Sequence, residues 1–82
     1  MKKVWFGRTE IRGMTVDYYR TEVPAEHGRT DYGVEIATSL GERCCVDGVT
    51  VSEEEIGCLL ERLVRNSVTP TALRDVIDDW LT

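Results

Sequence analysis

Ser52-Glu53-Glu54-Glu55-Ile56-Gly57-Cys58-Leu59-Leu60-Glu61-Arg62-Leu63-Val64-Arg65 is the stretch where the chain changes its period. The serine hydroxyl can accept from the backbone N–H of Glu55 while the Glu55 carboxylate reaches back to the serine N–H, a capping box that starts a helix. Ile56, Leu59, Leu60, Leu63 and Val64 then fall at i, i+3, i+4, i+7 and i+8, one apolar stripe for burial. Three glutamates at the start and Arg62 and Arg65 near the end complement the helix dipole at both termini. Asn66-Ser67-Val68 closes this helix, and Thr69-Pro70 restarts one, with Thr69 as N-cap and Pro70 at the first helical position. Its stripe is Ala72, Leu73, Val76, Ile77, Trp80 and Leu81, opposite Thr71, Arg74, Asp75, Asp78 and Asp79.

Upstream of Ser52 the period is two. Tyr32, Val34, Ile36, Thr38 and Leu40 alternate with Gly33, Glu35, Ala37 and Ser39, which marks a half-buried strand. Gly41-Glu42-Arg43 turns it into a fourth strand, in which Leu40 faces Cys44 and Thr38 faces Val46, so that Cys44 and Val46 join the core and Cys45 points away. Further upstream, Val4–Ile11 and Met14–Thr21 form a hairpin around Arg12-Gly13. The expected pairs are Ile11/Met14, Glu10/Thr15, Thr9/Val16, Arg8/Asp17, Gly7/Tyr18, Phe6/Tyr19 and Trp5/Arg20. This register puts Trp5, Ile11, Met14, Val16 and Tyr18 on the core face, and leaves Val4, Phe6 and Tyr19 clustered on the other. Val23–Asp31, with Pro24 and Gly28, is the one long connection.

Strands segregated from helices predict an α+β domain: a four-stranded antiparallel sheet followed by two antiparallel helices packed on one face, spanning residues 1–82 as a single unit. At 82 residues, 41% hydrophobic and 30% charged, the chain sits in the range of small globular domains. Its apolar runs are a few residues long, too short for a membrane span, and Gly7-Arg8-Thr9-Glu10 interrupts the start Met1-Lys2-Lys3-Val4-Trp5-Phe6 before a secretory core could form. A cytoplasmic, non-membrane protein is expected. The net charge is −5, yet residues 1–22 carry +2 and the remainder −7. An acidic helical half argues against direct nucleic-acid binding and favours a basic partner.

No residue constellation assembles a reaction. His27, between Glu26 and Gly28 in the long connection, has nothing nearby to orient it as a general base. Cys44, Cys45 and Cys58 are odd in number and fit free thiols. Adjacent strand residues point to opposite faces, so Cys44 and Cys45 cannot chelate one metal ion with His27 and Cys58. The glycines match neither phosphate-binding nor dinucleotide patterns, and helix-start electrostatics accounts for Glu53, Glu54 and Glu55. No catalytic residue, metal or cofactor is expected.

Tyr32-Gly33-Val34-Glu35-Ile36, the capped helix from Ser52, and the run from Val68-Thr69-Pro70 to Asp75-Val76-Ile77-Asp78-Asp79 together resemble a family of short, uncharacterised Gram-positive bacterial proteins, a domain of unknown function. In that family a tyrosine-glycine-aliphatic strand precedes two helices ending in an aspartate-rich stretch. The likeness covers roughly residues 14–81 and leaves Trp5 and the Cys44-Cys45 pair unmatched; it implies a bacterial cytoplasmic protein without an assigned activity, cofactor or catalytic residue. Two surfaces are the candidate contact sites: the apolar cluster Val4, Phe6 and Tyr19 on the uncovered sheet face, and the acidic helix face Asp75, Asp78 and Asp79. The expectation is a non-enzymatic interaction or regulatory protein that binds a protein partner, with a homodimer through the open sheet face as one form. The alternative is an acidic phage-type inhibitor, an anti-defence factor occupying the basic channel of a nucleic-acid-binding protein. An enzyme would require a pocket that brings His27 to a cysteine.

Overall fold

The computed structural model describes residues 1–82. Four strands, β1 (Lys2–Ile11), β2 (Met14–Pro24), β3 (Thr30–Thr38) and β4 (Arg43–Thr50), form one antiparallel sheet in the order β1-β2-β3-β4. Two helices follow, α1 (Glu53–Arg65) and α2 (Leu73–Leu81). The fold is α+β, as the switch of period at Ser52 predicts. Helix α1 touches all four strands, and α2 contacts β4 and adds Leu73 and Ile77 to the same core. The layers are thin, with extents of 44 × 26 × 17 Å.

The core lies between the helices and the centre of the sheet. Val16 and Tyr18 of β2 and Val34 and Ile36 of β3 meet Ile56, Leu59, Leu60 and Leu63 of α1 and Leu73 and Ile77 of α2. Val49 and Val68 complete it, and Ile11, Met14, Cys44 and Val46 pack at its margin. Tyr18 is fully buried, so its hydroxyl needs a partner, and it donates to the Val68 carbonyl oxygen at 2.7 Å. That bond ties the sheet to the link between the helices. Leu81, placed in the second stripe by its spacing, is instead 56% exposed at the last residue of α2, while Trp80 beside it packs against the core.

The helix termini follow local chemistry, with two departures. Ser52 caps α1 by accepting from Glu55 N–H at 3.1 Å. The return arm of the box runs through Thr50: Ser52 N–H donates to Thr50 Oγ1 at 3.1 Å, and that hydroxyl donates to Glu55 Oε2 at 3.0 Å. At the other end, Val68 N–H bonds Leu63 O and Ser67 N–H bonds Val64 O, with Ser67 in the left-handed region at φ 51°. This is a Schellman termination carrying serine where glycine is usual, and the Val68–Leu63 apolar contact accompanies it. Thr69 does not cap α2. Ala72 N–H bonds Thr69 O and Leu73 N–H bonds Pro70 O, so the proline opens a tight i→i+3 turn that becomes α-helical only at Leu73.

Two registers differ from the alternation. Between β1 and β2 the pairs Ile11–Met14 to Gly7–Tyr18 are as expected, but a bulge then inserts Phe6, and Trp5 pairs with Tyr19, Val4 with Arg20 and Lys3 with Thr21. The extra residue exchanges the faces of everything N-terminal to it. Trp5 therefore leaves the core face, and Val4, opposite Arg20, leaves the open one. Between β3 and β4, Cys44 faces Ile36 and Val46 faces Val34, with Leu40 in the exposed turn rather than in the ladder. That slip is four residues, an even number, so Cys44 and Val46 keep the core side and Cys45 the other. The fourth strand also continues past Asp47-Gly48, where Gly48 adopts φ 63° and the ladder is irregular between Tyr32 and Val34.

Candidate functional site: the open sheet face

The sheet surface turned away from the helices is the site that the fold leaves uncovered. Strand alternation and the bulge assign to it Lys3, Trp5, Arg8 and Glu10 of β1, Thr15, Asp17, Tyr19 and Thr21 of β2, Gly33, Glu35 and Ala37 of β3, and Arg43 and Cys45 of β4. The surface is built from three polar groups rather than from an apolar patch.

The first group centres on Asp17. It accepts from Trp5 Nε1 at 3.0 Å and from Arg8 Nε at 2.7 Å. Arg8 first and Trp5 second hold its carboxyl below the ordinary carboxylate value, and the Arg8 guanidinium is raised in return by the same hydrogen bond. Trp5 is 55% exposed yet held in a fixed orientation, with Tyr19 directly opposite in the ladder.

The second group centres on Glu35, only 5% exposed although no helix lies over this face. Lys3 Nζ sits 3.1 Å from its Oε2 and Arg43 Nε 3.7 Å from the same atom. Lys3 also lies over the Tyr19 ring, 4.7 Å from its centroid. Side chains from β1 and β4 thus roof the carboxylate and pair with its charge.

The third group lies where β4 arches across the sheet. A Cβ on Gly33 would stand 2.4 Å from Val46 O, 2.6 Å from Thr21 Oγ1 and 2.9 Å from Asp47 Cα, so only glycine allows this approach. The arch buries Thr21, which makes a long 3.5 Å hydrogen bond to Asp47 Oδ1. Cys45 Sγ donates to the same oxygen at 3.4 Å, and burial, reinforced by Asp47, pushes its thiol up to about 11. A thiol held protonated is a poor nucleophile.

The other sequence-derived candidates are dispersed. Tyr19 is on the open face, Phe6 occupies the bulge and is exposed, and Val4 is half-buried on the helix side, so the three do not form one cluster. Asp75, Asp78 and Asp79 are exposed along α2, and no ion pair engages them. His27 is exposed in a short 3-10 turn, Glu26–Gly28, in left-handed conformation at φ 61°. Cys58 is exposed on α1, far in sequence and in element from the β4 thiols. Nowhere do three His, Cys, Asp or Glu side chains gather to hold a metal ion. An open cleft of about 290 Å³ lies at the sheet end among Met1, Lys2, Glu22, Pro24 and Thr30. Sequence reading placed Trp5 on the wrong face, and it placed Glu35 on the open face without its burial; the Arg8/Asp17 pair next to an indole was the signal available for Trp5.

No helix is long and apolar enough to cross a membrane. No curated protein and no solved structure matches the chain. A family model, described as a family of unknown function (DUF6514), matches residues 6–82, so the matched region includes most of β1 and reaches well before the start at residue 14 that the motifs suggested. With all but its first five residues inside that match, the chain belongs to the family of unknown function DUF6514.

Proposed function

We propose that this protein is a non-enzymatic interaction module of the bacterial cytoplasm that binds a protein partner across its open sheet face, with Trp5 as the anchor. The observation that carries the reading is an indole 55% exposed and yet fixed by Asp17, which Arg8 fixes in turn. Exposed side chains ordinarily lose conformational freedom on binding, and one already held in place avoids that cost. Tryptophan, tyrosine and arginine dominate binding hot spots, and Trp5, Tyr19, Arg8 and Arg43 share this face. The protonated Cys45 thiol and the dispersal of His27 and Cys58 support a binding role over a catalytic one.

The unpaired aspartates of α2 favour a second reading, the acidic inhibitor that occupies a basic channel. Photo-crosslinked complexes from host lysate separate the two when formed with the wild type, Trp5→Ala, and the triple change of Asp75, Asp78 and Asp79 to Asn. The open-face reading expects complexes lost with Trp5→Ala and retained in the triple variant. Complexes indifferent to Trp5→Ala, lost in the triple variant and dissolved by salt would overturn it in favour of the inhibitor.

A further inference from the structure

Strand β1 is the outer strand of the sheet, ten residues long, and no backbone or side-chain group of the chain pairs with its outward N–H and C=O groups. Such a row is a template for another strand. Four charges lie along it: Lys2 and Lys3 at one end, Arg8 already paired with Asp17, and Glu10 at the other end with no ion-pair partner within the chain. A parallel in-register neighbour would set lysine beside lysine, whereas an antiparallel copy can set Lys3 against the unpaired Glu10.

We propose that β1 pairs antiparallel with β1 of a second copy about a two-fold axis between Phe6 and Gly7, joining two sheets into one of eight strands. In this register Lys3 faces Glu10 of the second copy, Trp5 faces Arg8 and Val4 faces Thr9, each pair occurring twice. The face assignments fit. Lys3, Trp5, Arg8 and Glu10 all lie on the open face, while Val4 and Thr9 both lie on the helix side, opposite Arg20 and Val16. Cross-strand partners must share a face, and without the extra residue at Phe6 Trp5 and Arg8 would point to opposite sides. The bulge is what makes the strand complementary to itself. The outer strand at the other end of the sheet is less suited, because β4 is shorter and broken by left-handed Gly48. Dimerisation brings the two open faces edge to edge, with both Trp5 side chains beside the axis, and it stands whether or not that face binds another protein.

Light scattering on the full chain, up to about 1 mM, together with hydrogen exchange of the β1 amides, tests this. The expected result is a dimer whose β1 amides gain protection as concentration rises. Glu10→Lys alters an exposed, unpaired side chain, so at concentrations where both are monomeric its melting temperature matches the wild type, while the dimer dissociation constant rises about tenfold or more. Ala37→Lys, in the middle of the open face, leaves the dimer intact. A monomer at the highest concentration overturns the proposal, and so does a dimer indifferent to Glu10→Lys. A dimer dissolved by Ala37→Lys with β1 amides still unprotected overturns it too, because that pattern means stacking of the open faces instead.

Discussion

One sheet carries two faces with opposite solutions to the same problem. On the helix side, burial does the stabilising: Val16, Tyr18, Val34 and Ile36 pack under α1 and α2, and the one polar atom among them, the Tyr18 hydroxyl, is bonded. On the open side no helix covers the strands, and neighbouring residues cover one another. Arg8 and Trp5 close over Asp17, Lys3 and Arg43 over Glu35, and the β4 arch over Thr21. A small domain with two helices cannot apolar-pack both sides of four strands, and cross-strand polar pairing keeps the second side ordered in water. The same pairing leaves Trp5 outward with its indole N–H bonded to Asp17.

The largest expected contrast between the faces comes from truncating one large residue on each. Leu60→Ala, fully buried on α1, should cost about 2–5 kcal/mol, a large share of the ~4–12 kcal/mol available to a chain of this size. Trp5→Ala should cost about 1 kcal/mol or less, since it removes an exposed side chain and one hydrogen bond. Urea titration of the two variants gives both numbers, and equal losses would mean that the open face contributes to folding as the core does.

Gly33→Ala probes the place where the open side is tightly packed. Its new methyl meets backbone atoms of Val46 and Asp47, which cannot swing away, so a loss of about 2–3 kcal/mol is expected in the same titration. A loss under about 0.5 kcal/mol would show that the β4 arch is loose.

Tyr18→Phe tests the single polar link on the helix side. It leaves the buried Val68 carbonyl unpaired, at about 1–2 kcal/mol. Burial raises the Tyr18 phenol to about 12, above its ordinary value near 10, so its contribution is complete below about pH 10 and is lost as pH rises toward 12. Alkaline melting curves should show that loss in the wild type and not in the Phe variant.

The smallest effect belongs to Asp17. With its folded pKa depressed, first by Arg8 and then by Trp5, its contribution is present above the ordinary carboxylate value near 3.9 and disappears as pH falls through the folded one. The group is solvent-screened, so less than about 1 kcal/mol is at stake, but the indole reports it. Trp5 fluorescence in a Trp80→Phe background should change in that acid range, and Asp17→Asn should abolish the transition.

What could be read from the residues divides along the same physical line. Helix α1, its serine cap and its stripe of Ile56, Leu59, Leu60 and Leu63 depend on neighbours within four positions, and each appears where the spacing put it. The faces of Cys44 and Val46 survived a wrong pairing with Leu40 because the error was an even number of residues. The open face was less legible. Alternation alone has no way to register the extra residue at Phe6, which brings Trp5 onto the face of Asp17, twelve residues away. The same limit hid the burial of Glu35, whose cover comes from Lys3 and Arg43 on two other elements. Thr69 failed as a cap because Pro70 starts a tighter turn than an α-helix.

The bulge at Phe6 gives chain length a meaning there that residue identity lacks. Two relatives with identical side chains, one shorter by a single residue between Val4 and Gly7, would show solvent inverted N-terminal surfaces: lysine and indole outward in one, inward in the other. Comparisons of such relatives must therefore count residues through this point before matching their types, because a misplaced gap would equate positions that never see the same environment.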